Sequence, residues 1–175
     1  MEKGLVHIYY GDGKGKTTCA AGLSIRCAGH NGKVLWFQFL KTDSSGERRS
    51  LEKLENIELI SGYSQMKFTF KMSQEEKAQA RVFFGEKFNE IIKKVSCGAY
   101  DLLVLDEIID AVSTDMIEEK DVIDFIKTKP YDLEVVLTGH NPSQALCKCA
   151  DYITKMEKIK HPYDEGIIAR EKIEY

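Results

Sequence analysis

A glycine-rich segment between an apolar run and a helical pattern constrains the fold of this chain most. The apolar run is Val6–Tyr10, and the helical pattern extends from Cys19 to Ala28. Between them stands Gly11-Asp12-Gly13-Lys14-Gly15-Lys16-Thr17-Thr18. A strand, a glycine-rich turn and a helix start in this order are typical of a P-loop, which binds phosphate through backbone N–H groups and a helix N-terminus. The sequence therefore predicts an α/β fold that binds a nucleoside triphosphate.

The residue types of this loop suit the parts of a triphosphate. Its glycines allow N–H groups to point into one concavity, Lys16 can reach the terminal phosphates, and the Thr17 hydroxyl can bind Mg²⁺. Lys14 is either a second cation for the phosphates or a solvated loop residue. The loop is one residue shorter than the common spacing, because its first glycine is Gly11 and position 10 is Tyr10. A chance glycine cluster is the alternative interpretation.

Length and charge narrow the class of protein. A chain of 175 residues suits one domain over residues 1–175. The net charge of -3 lacks the excess of basic residues that marks nucleic-acid-binding proteins. No apolar stretch approaches the roughly 20 residues that span a bilayer, and the first strand follows Met1 too closely for a secretory signal. We therefore expect a cytoplasmic protein with no nucleic-acid or membrane partner.

Short apolar runs alternate with amphipathic stretches along the chain, which predicts a mainly parallel sheet flanked by helices, as in a RecA-like P-loop NTPase. Further strands are predicted at Val34–Phe39, Ile57–Ile60, Leu102–Glu107, Glu134–Gly139 and Tyr152–Met156. Helices are predicted after the capping box Ser73-x-x-Glu76, over Glu118–Lys127, and from Asn141-Pro142 to about Ala150, and residues 41–49 are predicted to form a loop.

Two carboxylates, Asp106 and Glu107, end one of these strands. Ligands of open α/β sheets lie beyond the carboxyl ends of the strands, where the P-loop also lies. An acidic residue there can hold Mg²⁺ directly or through water. The alternative is a pair of solvated acids at an ordinary strand end, and the sequence does not distinguish which of the two touches the metal.

Two further features have open interpretations. The segment 62–72 interleaves apolar and polar residues without a helical period, and as a strand it would place Phe68 and Phe70 on one side. These aromatic side chains either join the core or line a binding surface. Arg26, on the helix after the P-loop, is by its residue type alone a surface arginine that covers apolar neighbours.

Taken together, these motifs resemble the P-loop type of corrinoid adenosyltransferase, also called cob(I)alamin adenosyltransferase. The short loop of that family has the form G-N-G-K-G-K-T-T-A, in which Asp12 and Cys19 replace Asn and Ala here. The likeness extends from about residue 5 to the C-terminus. Its other parts are Phe37-Gln38-Phe39-Leu40-Lys41 with Gly46-Glu47, Val104-Leu105-Asp106-Glu107, Thr138-Gly139 and Lys160-His161-Pro162-Tyr163-Asp164-Glu165-Gly166.

The resemblance implies transfer of the 5′-deoxyadenosyl group of ATP to the Co(I) centre of a reduced corrinoid, with release of triphosphate and formation of adenosylcobalamin. ATP then lies reversed relative to ordinary P-loop proteins. The residues implied to bind ATP are Gly11, Asp12, Gly13, Lys14, Gly15, Lys16, Thr17, Thr18 and Arg26. The residues implied to act in catalysis are Lys16, Thr17 and Glu107, and Mg²⁺ is implied at Thr17 and Glu107 with Asp106 beside them. Phe68 and Phe70 are similar to a segment that contacts the corrinoid, with Phe70 in place of Trp.

The resemblance also implies a homodimer and a flavodoxin-type electron donor. Family members often carry a helical extension before the first strand, whereas this sequence reaches that strand almost at once. A P-loop small-molecule kinase or ATPase, and a non-catalytic nucleotide-dependent corrinoid-binding protein, are the alternatives.

Overall fold

Six strands form one sheet in the computed structural model of the chain, which describes residues 2–174. The strands are β1 (Val6–Tyr10), β2 (Val34–Gln38), β3 (Ile57–Leu59), β4 (Leu102–Asp106), β5 (Glu134–Gly139) and β6 (Tyr152–Lys155). They lie in the order β3-β2-β4-β5-β1-β6, and every pair is parallel. The predicted α/β class with a parallel sheet is confirmed.

Six helices connect these strands, because parallel strands need long crossover connections. The helices are α1 (Lys16–Gly29), α2 (Gly46–Leu51), α3 (Gln74–Ser96), α4 (Ile108–Ser113), α5 (Glu119–Thr128) and α6 (Gln144–Cys147). Short 3₁₀ turns occupy Thr69–Lys71 and Pro162–Glu165.

The central strands are apolar on both faces, as a sheet covered by helices requires. Alternate residues of one strand belong to different core clusters: Leu35 and Phe37 of β2 pack on the side of α3, and Trp36 packs on the side of α1. All five residues of β2 and of β4 are buried. The continuous apolar runs in the sequence are therefore strands at the centre of the sheet.

Local chemistry sets the start of the longest helix as predicted. The Ser73 hydroxyl accepts a hydrogen bond from the Glu76 N–H at 3.1 Å, and the Glu76 carboxylate accepts one from the Ser73 N–H at 2.9 Å. This capping box satisfies two backbone donors that the first turn leaves free. The face of α3 that carries Phe84, Phe88 and Ile91 is buried against the sheet.

Two local predictions were wrong. Part of the predicted loop 41–49 is helical in α2, where the buried side chains of Arg48 and Leu51 hold the turn against the core. The last helix starts after Ser143, whose hydroxyl accepts from the Leu146 N–H at 3.0 Å, and not at Asn141-Pro142. In both cases a tertiary contact or a nearer cap outweighs the local pattern. Residues 69–71, whose conformation the sequence left open, form a 3₁₀ turn.

The sheet order brings the predicted site residues to one edge. Strand β5 lies between β1, which precedes the P-loop, and β4, which precedes Asp106 and Glu107. The carboxyl ends of β1 and β4 are thus about 10 Å apart, twice the usual spacing between strands. The first turn of α1 spans this gap, because α1 lies across β4 and β5.

Candidate active site

The backbone of the P-loop is held by the chain that follows β6. Gly11 has a φ of 116°, and a Cβ at this position would lie 2.3 Å from the carbonyl oxygen of Met156. A Cβ at Gly13 would lie 2.7 Å from the same oxygen, which accepts a hydrogen bond from the Gly13 N–H at 2.7 Å. Glycine is required here because another backbone approaches closely. The Gly13 N–H, predicted to face phosphate, is thus committed to Met156.

The polar side chains of the loop point in different directions. The Lys16 ammonium donates to the carbonyls of Gly11 and Gly13 at 2.8 and 2.9 Å. The Asp12 carboxylate is exposed and accepts from the Lys158 N–H at 3.1 Å, which lowers the Asp12 pKa. Lys14 is a surface residue of the loop. Of these side chains, Lys16 stays closest to the concave face of the loop.

A buried carboxylate links the P-loop to three strand ends. Asp106 is completely buried. Its Oδ1 accepts from the hydroxyls of Thr17 and Thr138 at 2.9 and 2.7 Å, and its Oδ2 accepts from Gln38 Nε2 and Lys41 Nζ at 3.0 and 2.9 Å. Four donors satisfy both oxygens, as a buried charge requires. Asp106 therefore fixes the Thr17 hydroxyl in place.

Glu107 faces the same space from the next position of the chain. It adopts a left-handed conformation with a φ of 62°, uncommon for a residue with a side chain, and its N–H donates to the Thr138 hydroxyl at 2.8 Å. Burial, the nearby Asp106 charge and a hydrogen bond with Asp110 raise the Glu107 pKa to about 7, although Lys41 opposes this shift. The site therefore contains a carboxyl group that titrates near neutral pH.

Lys41 supplies the positive charge of this cluster. Its ammonium lies 2.9 Å from Asp106 Oδ2, 3.1 Å from Thr17 Oγ1 and 3.5 Å from Glu107 Oε1. Burial lowers the Lys41 pKa, but the charges of Asp106 and Glu107 outweigh burial and raise it. The Lys41 ammonium thus lies within 3.5 Å of an oxygen of Thr17, Asp106 and Glu107, the residues at which the family resemblance implies Mg²⁺.

Sequence reasoning missed several members of this cluster as site residues. Gln38, Lys41 and Thr138 entered only as parts of family-like motifs. A usable signal was available, since all three follow or end strands at the edge where the P-loop lies. His140, after β5, is a further missed residue; together with Glu107 and Asp110 it offers ligand atoms that all lie within 4.8 Å of one another.

Two cavities adjoin the cluster. The larger, of about 800 Å³, is lined by Thr17 and Thr18 at the start of α1, by Lys41 and by residues of α2. The smaller, of about 450 Å³, is lined by the apolar side chains of Leu40, Met66 and Phe68 together with polar residues. The residues that line both are Lys41, Ser44, Glu47 and Glu174. A polar and a more apolar compartment thus share one wall beside the P-loop.

The aromatic residues of segment 62–72 divide between core and surface. Tyr63 and Met72 pack against the core, whereas Phe68 and Phe70 are 70% and 77% exposed. The two exposed rings stack with their centroids 5.5 Å apart, and the Lys71 ammonium lies 5.6 Å from the Phe68 ring centre. Exposed, ordered aromatic rings beside a cavity are typical of a binding surface.

Arg26 lies apart from the other predicted site residues. It is exposed in the last turn of α1 and does not line either cavity. Its Cα stands roughly 15 Å along the helix axis from Lys16, at 1.5 Å per residue. Its role toward ATP stays a prediction, whereas Thr17, Asp106 and Glu107 converge on the Lys41 ammonium.

Comparison with solved structures identifies the fold. The chain is similar to a KaiC-like protein from the archaeon Pyrococcus horikoshii OT3, with a TM-score of 0.54 and 18% identity over 91% of this chain and 75% of that one. It is also similar to the cytoplasmic domain of the type VII secretion ATPase EccC of Thermomonospora curvata, with a TM-score of 0.52 and 14% identity over 91% of this chain and 21% of that one. These likenesses concern the fold, which is that of the P-loop NTPases. Among residues 2–174, no helix is both long and apolar enough to cross a membrane.

Comparison of sequences identifies the family. Corrinoid adenosyltransferases from Escherichia coli K12 and a Sinorhizobium species are 28% and 31% identical to this chain; the matches cover 99% of the chain and 87% and 81% of those proteins. The corrinoid adenosyltransferase CobA of Salmonella typhimurium is 29% identical over 99% of the chain and 87% of its own length. A sequence model described as ATP:corrinoid adenosyltransferase BtuR/CobO/CobP matches residues 2–175. The chain belongs to this family of transferases, which use ATP to adenosylate corrinoids.

Proposed function

We propose that the two adjoining cavities hold the two substrates, ATP in the larger one and a reduced corrinoid at the smaller, more apolar one. The observation that carries this assignment is the wall that the cavities share at Lys41, Ser44 and Glu47. Transfer of an adenosyl group requires the 5′ carbon of ATP and the cobalt atom to meet, so the two sites must adjoin. The larger cavity also starts at Thr17 and Thr18, where a P-loop binds phosphate.

In this proposal the P-loop binds the whole triphosphate as a leaving group. Lys16 and Lys14 supply positive charge, the N-terminus of α1 supplies backbone donors, and Thr17 is held toward the phosphates by Asp106 at 2.9 Å. An electron pair of Co(I) forms the bond to the 5′ carbon while the carbon–oxygen bond breaks. That bond's electrons leave with triphosphate, and cobalt is formally oxidised from Co(I) to Co(III). No protein base is needed, because the nucleophile carries its own electron pair.

We propose Thr17 and Glu107 as the residues that hold Mg²⁺, with Asp106 acting through Thr17. Hydroxyl and carboxylate oxygens are the ligands that Mg²⁺ prefers, and the position of the Lys41 ammonium among these oxygens supports their capacity to surround a cation. When bound, Mg²⁺ would neutralise charge on the departing triphosphate. Lys41 would have to turn away from Thr17 to make room.

Phe68 and Phe70 are proposed to contact the corrinoid. Their rings are exposed and stacked, and Phe68 lines the apolar cavity. An apolar contact below the ring system would keep water and an axial ligand from cobalt, which favours reduction of Co(II) to Co(I). Arg26 is proposed as an ATP contact on the strength of the family resemblance alone.

The decisive experiment incubates the protein with ATP, Mg²⁺ and chemically reduced cobalamin and identifies the products. We expect inorganic triphosphate and a light-sensitive alkylcobalt product in equal amounts. The Lys16→Ala variant should lose at least 100-fold in rate, because a transition-state charge contact is removed. Formation of ADP or orthophosphate would contradict the proposal and favour a kinase or ATPase, and nucleotide binding without turnover would favour a corrinoid-binding protein.

Assembly and cellular context follow from the family resemblance and are proposals as well. We propose a homodimer, a flavodoxin-type electron donor, a role in cobalamin biosynthesis and a cytoplasmic location. The four exposed residues of the edge strand β6 offer a surface on which a second chain can pair. Light scattering of the purified protein tests the dimer, and reduction of bound Co(II) corrinoid by a reduced flavodoxin tests the donor.

A further inference from the structure

The C-terminal part of the chain returns to the P-loop after leaving the sheet. Behind the 3₁₀ turn Pro162–Glu165 it continues through residues 167–174, which we call the strap. All residues of the strap are exposed, and its three isoleucines are 49% (Ile167), 75% (Ile168) and 60% (Ile173) exposed. A segment with so little buried surface is held by few contacts and opens at low cost.

The strap is tied to the P-loop by the carboxylate of Glu174. The Lys14 ammonium donates to Glu174 Oε1 at 2.8 Å. Arg170 closes a turn behind this contact, because its N–H and Nε donate to Glu174 Oε2 at 2.9 and 3.1 Å and its Nη2 donates to Oε1 at 3.0 Å. These donors hold the Glu174 pKa far below its usual range. A carboxylate of this chain is thus paired with a cation of the phosphate-binding loop.

Glu174 also stands on the wall between the two cavities. Glu171, Lys172, Ile173 and Glu174 line the larger cavity, and Glu174 lines the apolar cavity as well. Glu174 therefore lies where the space beside Thr17 adjoins the space beside Phe68. Movement of this one segment would widen the opening between the two compartments.

The charges around Lys14 set a bound triphosphate in competition with Glu174. A triphosphate carries several negative charges, and a carboxylate kept beside it would repel them. The Lys14–Glu174 pair is partly exposed, with 48% of the Lys14 and 22% of the Glu174 side chain accessible, and ion pairs that water reaches are weak. The phosphates and Glu174 therefore compete for Lys14, and the multiply charged ligand has the advantage.

We propose that residues 167–174 form a displaceable strap, which the triphosphate of the bound nucleotide releases by taking Lys14 from Glu174. Release of the strap joins the nucleotide cavity to the apolar cavity. The inference rests on the proposed function, since it requires the P-loop to bind the triphosphate group. It adds two features to that function. Glu174 competes with the phosphates for Lys14, and the strap is a movable wall between the two cavities.

The test is the affinity of the full chain for inorganic triphosphate with Mg²⁺, measured by calorimetry for the wild type, Glu174→Gln and Glu165→Gln. Glu165 is the matched control, because it lies in the 3₁₀ turn just before the strap, pairs with Lys160 at 3.2 Å and does not line either cavity. We expect Glu174→Gln to bind about 3- to 10-fold tighter than the wild type, the gain for a strap that is closed about 70–90% of the time. Glu165→Gln should bind as the wild type does.

Hydrogen exchange of the strap gives a second measurement that does not depend on the variants. Amides of residues 167–174 in the wild type should exchange faster when inorganic triphosphate is bound. Unchanged or weaker binding by Glu174→Gln, or slower exchange of the strap, would overturn the competition and leave the phosphate site intact. Absence of triphosphate binding by all three proteins would instead overturn the proposed function and the strap with it.

Discussion

Lys41 neutralises two carboxylates at once, and this determines what its loss should do. Asp106 is fully buried and Glu107 is partly buried, and the Lys41 ammonium lies 2.9 and 3.5 Å from their oxygens. In Lys41→Met both acids lose their cation, so the free energy of unfolding should fall by about 1–3 kcal/mol without divalent cations. Because Mg²⁺ can replace the lost charge, it should raise the Tm of Lys41→Met more than that of the wild type.

Thermal unfolding with Mg²⁺ and with a chelator checks this prediction. Lys67→Met is the matched control, since Lys67 pairs with Glu76 at the surface. We expect this variant to lose less than about 0.5 kcal/mol and to gain no extra response to Mg²⁺. A response to Mg²⁺ that is equal in Lys41→Met and the wild type would contradict a metal site at these oxygens.

Glu107 should make stability depend on pH in a defined window. Its pKa is raised from 4.5 to about 7 in the folded chain, so the folded state holds one more proton than the unfolded state between these values. Its contribution is therefore complete below about pH 4.5 and is lost as the pH rises through about 7. Glu107→Gln keeps a neutral side chain beside Asp110 at every pH. Its free energy of unfolding relative to that of the wild type should therefore rise by about 1–3 kcal/mol between pH 4.5 and 8.

Urea unfolding at pH 5 and pH 8 with a chelator measures this difference. Comparing variant and wild type at each pH removes the contribution of the other titrating groups. Glu118→Gln, at a carboxylate that is 66% exposed, should differ from the wild type by less than about 0.5 kcal/mol at both pH values. A constant difference between Glu107→Gln and the wild type would show that Glu107 is not the group that titrates.

The sequence identified only part of this cluster, for a physical reason. Thr17 and Asp106 belong to motifs in which chain neighbours fix the role of each residue. Lys41 and Gln38 follow or end β2, and their role depends on β2 lying beside β4 in the sheet. That neighbourhood is a property of strand order, which hydrophobic periodicity does not contain.

The turn Thr69–Lys71 is an element whose conformation local sequence patterns do not determine. The interleaved apolar and polar residues left the conformation of this segment open, and the capping box at Ser73 begins α3 too soon for a strand to extend. The chain instead makes a 3₁₀ turn that leaves Phe68 and Phe70 outside while Met72 enters the core. The buried Met72 thus fixes the position of the turn, which presents the two exposed rings at the surface.

Phe68→Ala and Phe70→Ala should separate stability from substrate binding. Each side chain is more than two thirds exposed, so the free energy of unfolding should change by less than about 1 kcal/mol. The KM for reduced corrinoid should rise about 5- to 30-fold, equal to about 1–2 kcal/mol of lost aromatic contact, while the KM for ATP stays constant. Steady-state kinetics with each substrate varied in turn measures both values.

Tyr131→Ala supplies the control for this pair. Tyr131 is 67% exposed and precedes β5, at the amino ends of the strands, whereas the cavities lie at their carboxyl ends. It should change neither KM. An equal loss of corrinoid affinity in Tyr131→Ala, or none in either phenylalanine variant, would exclude the turn as the corrinoid contact.

Across the whole chain, the parallel pairing of the strands follows from the alternation of apolar runs and amphipathic stretches in the sequence, whereas the order of the strands in the sheet does not. The bounds of β1 and β5 match the prediction, because their apolar runs end at glycines or polar loops. What the pattern omits are the short helices α2 and α4, which have six residues each and too few turns for a helical period to emerge. Long elements with one buried face can thus be predicted from the sequence, whereas short elements are determined by their tertiary contacts.

The sequence predicts a single domain over residues 1–175, which should unfold in one step, and the two faces of the sheet make this testable. Trp36, the single tryptophan, is fully buried on the α1 face, whereas Phe125 of α5 is buried on the other face. Phe125→Ala should cost about 3–5 kcal/mol through lost burial and a residual cavity. If both faces belong to one cooperative unit, this change lowers the urea midpoint of Trp36 fluorescence and of far-ultraviolet circular dichroism by the same amount. Tyr131→Ala, at an exposed site, should leave both midpoints in place. A tryptophan transition that stays at its wild-type midpoint while the dichroism shifts would mean that the α1 and α5 faces unfold independently, which a single domain does not permit.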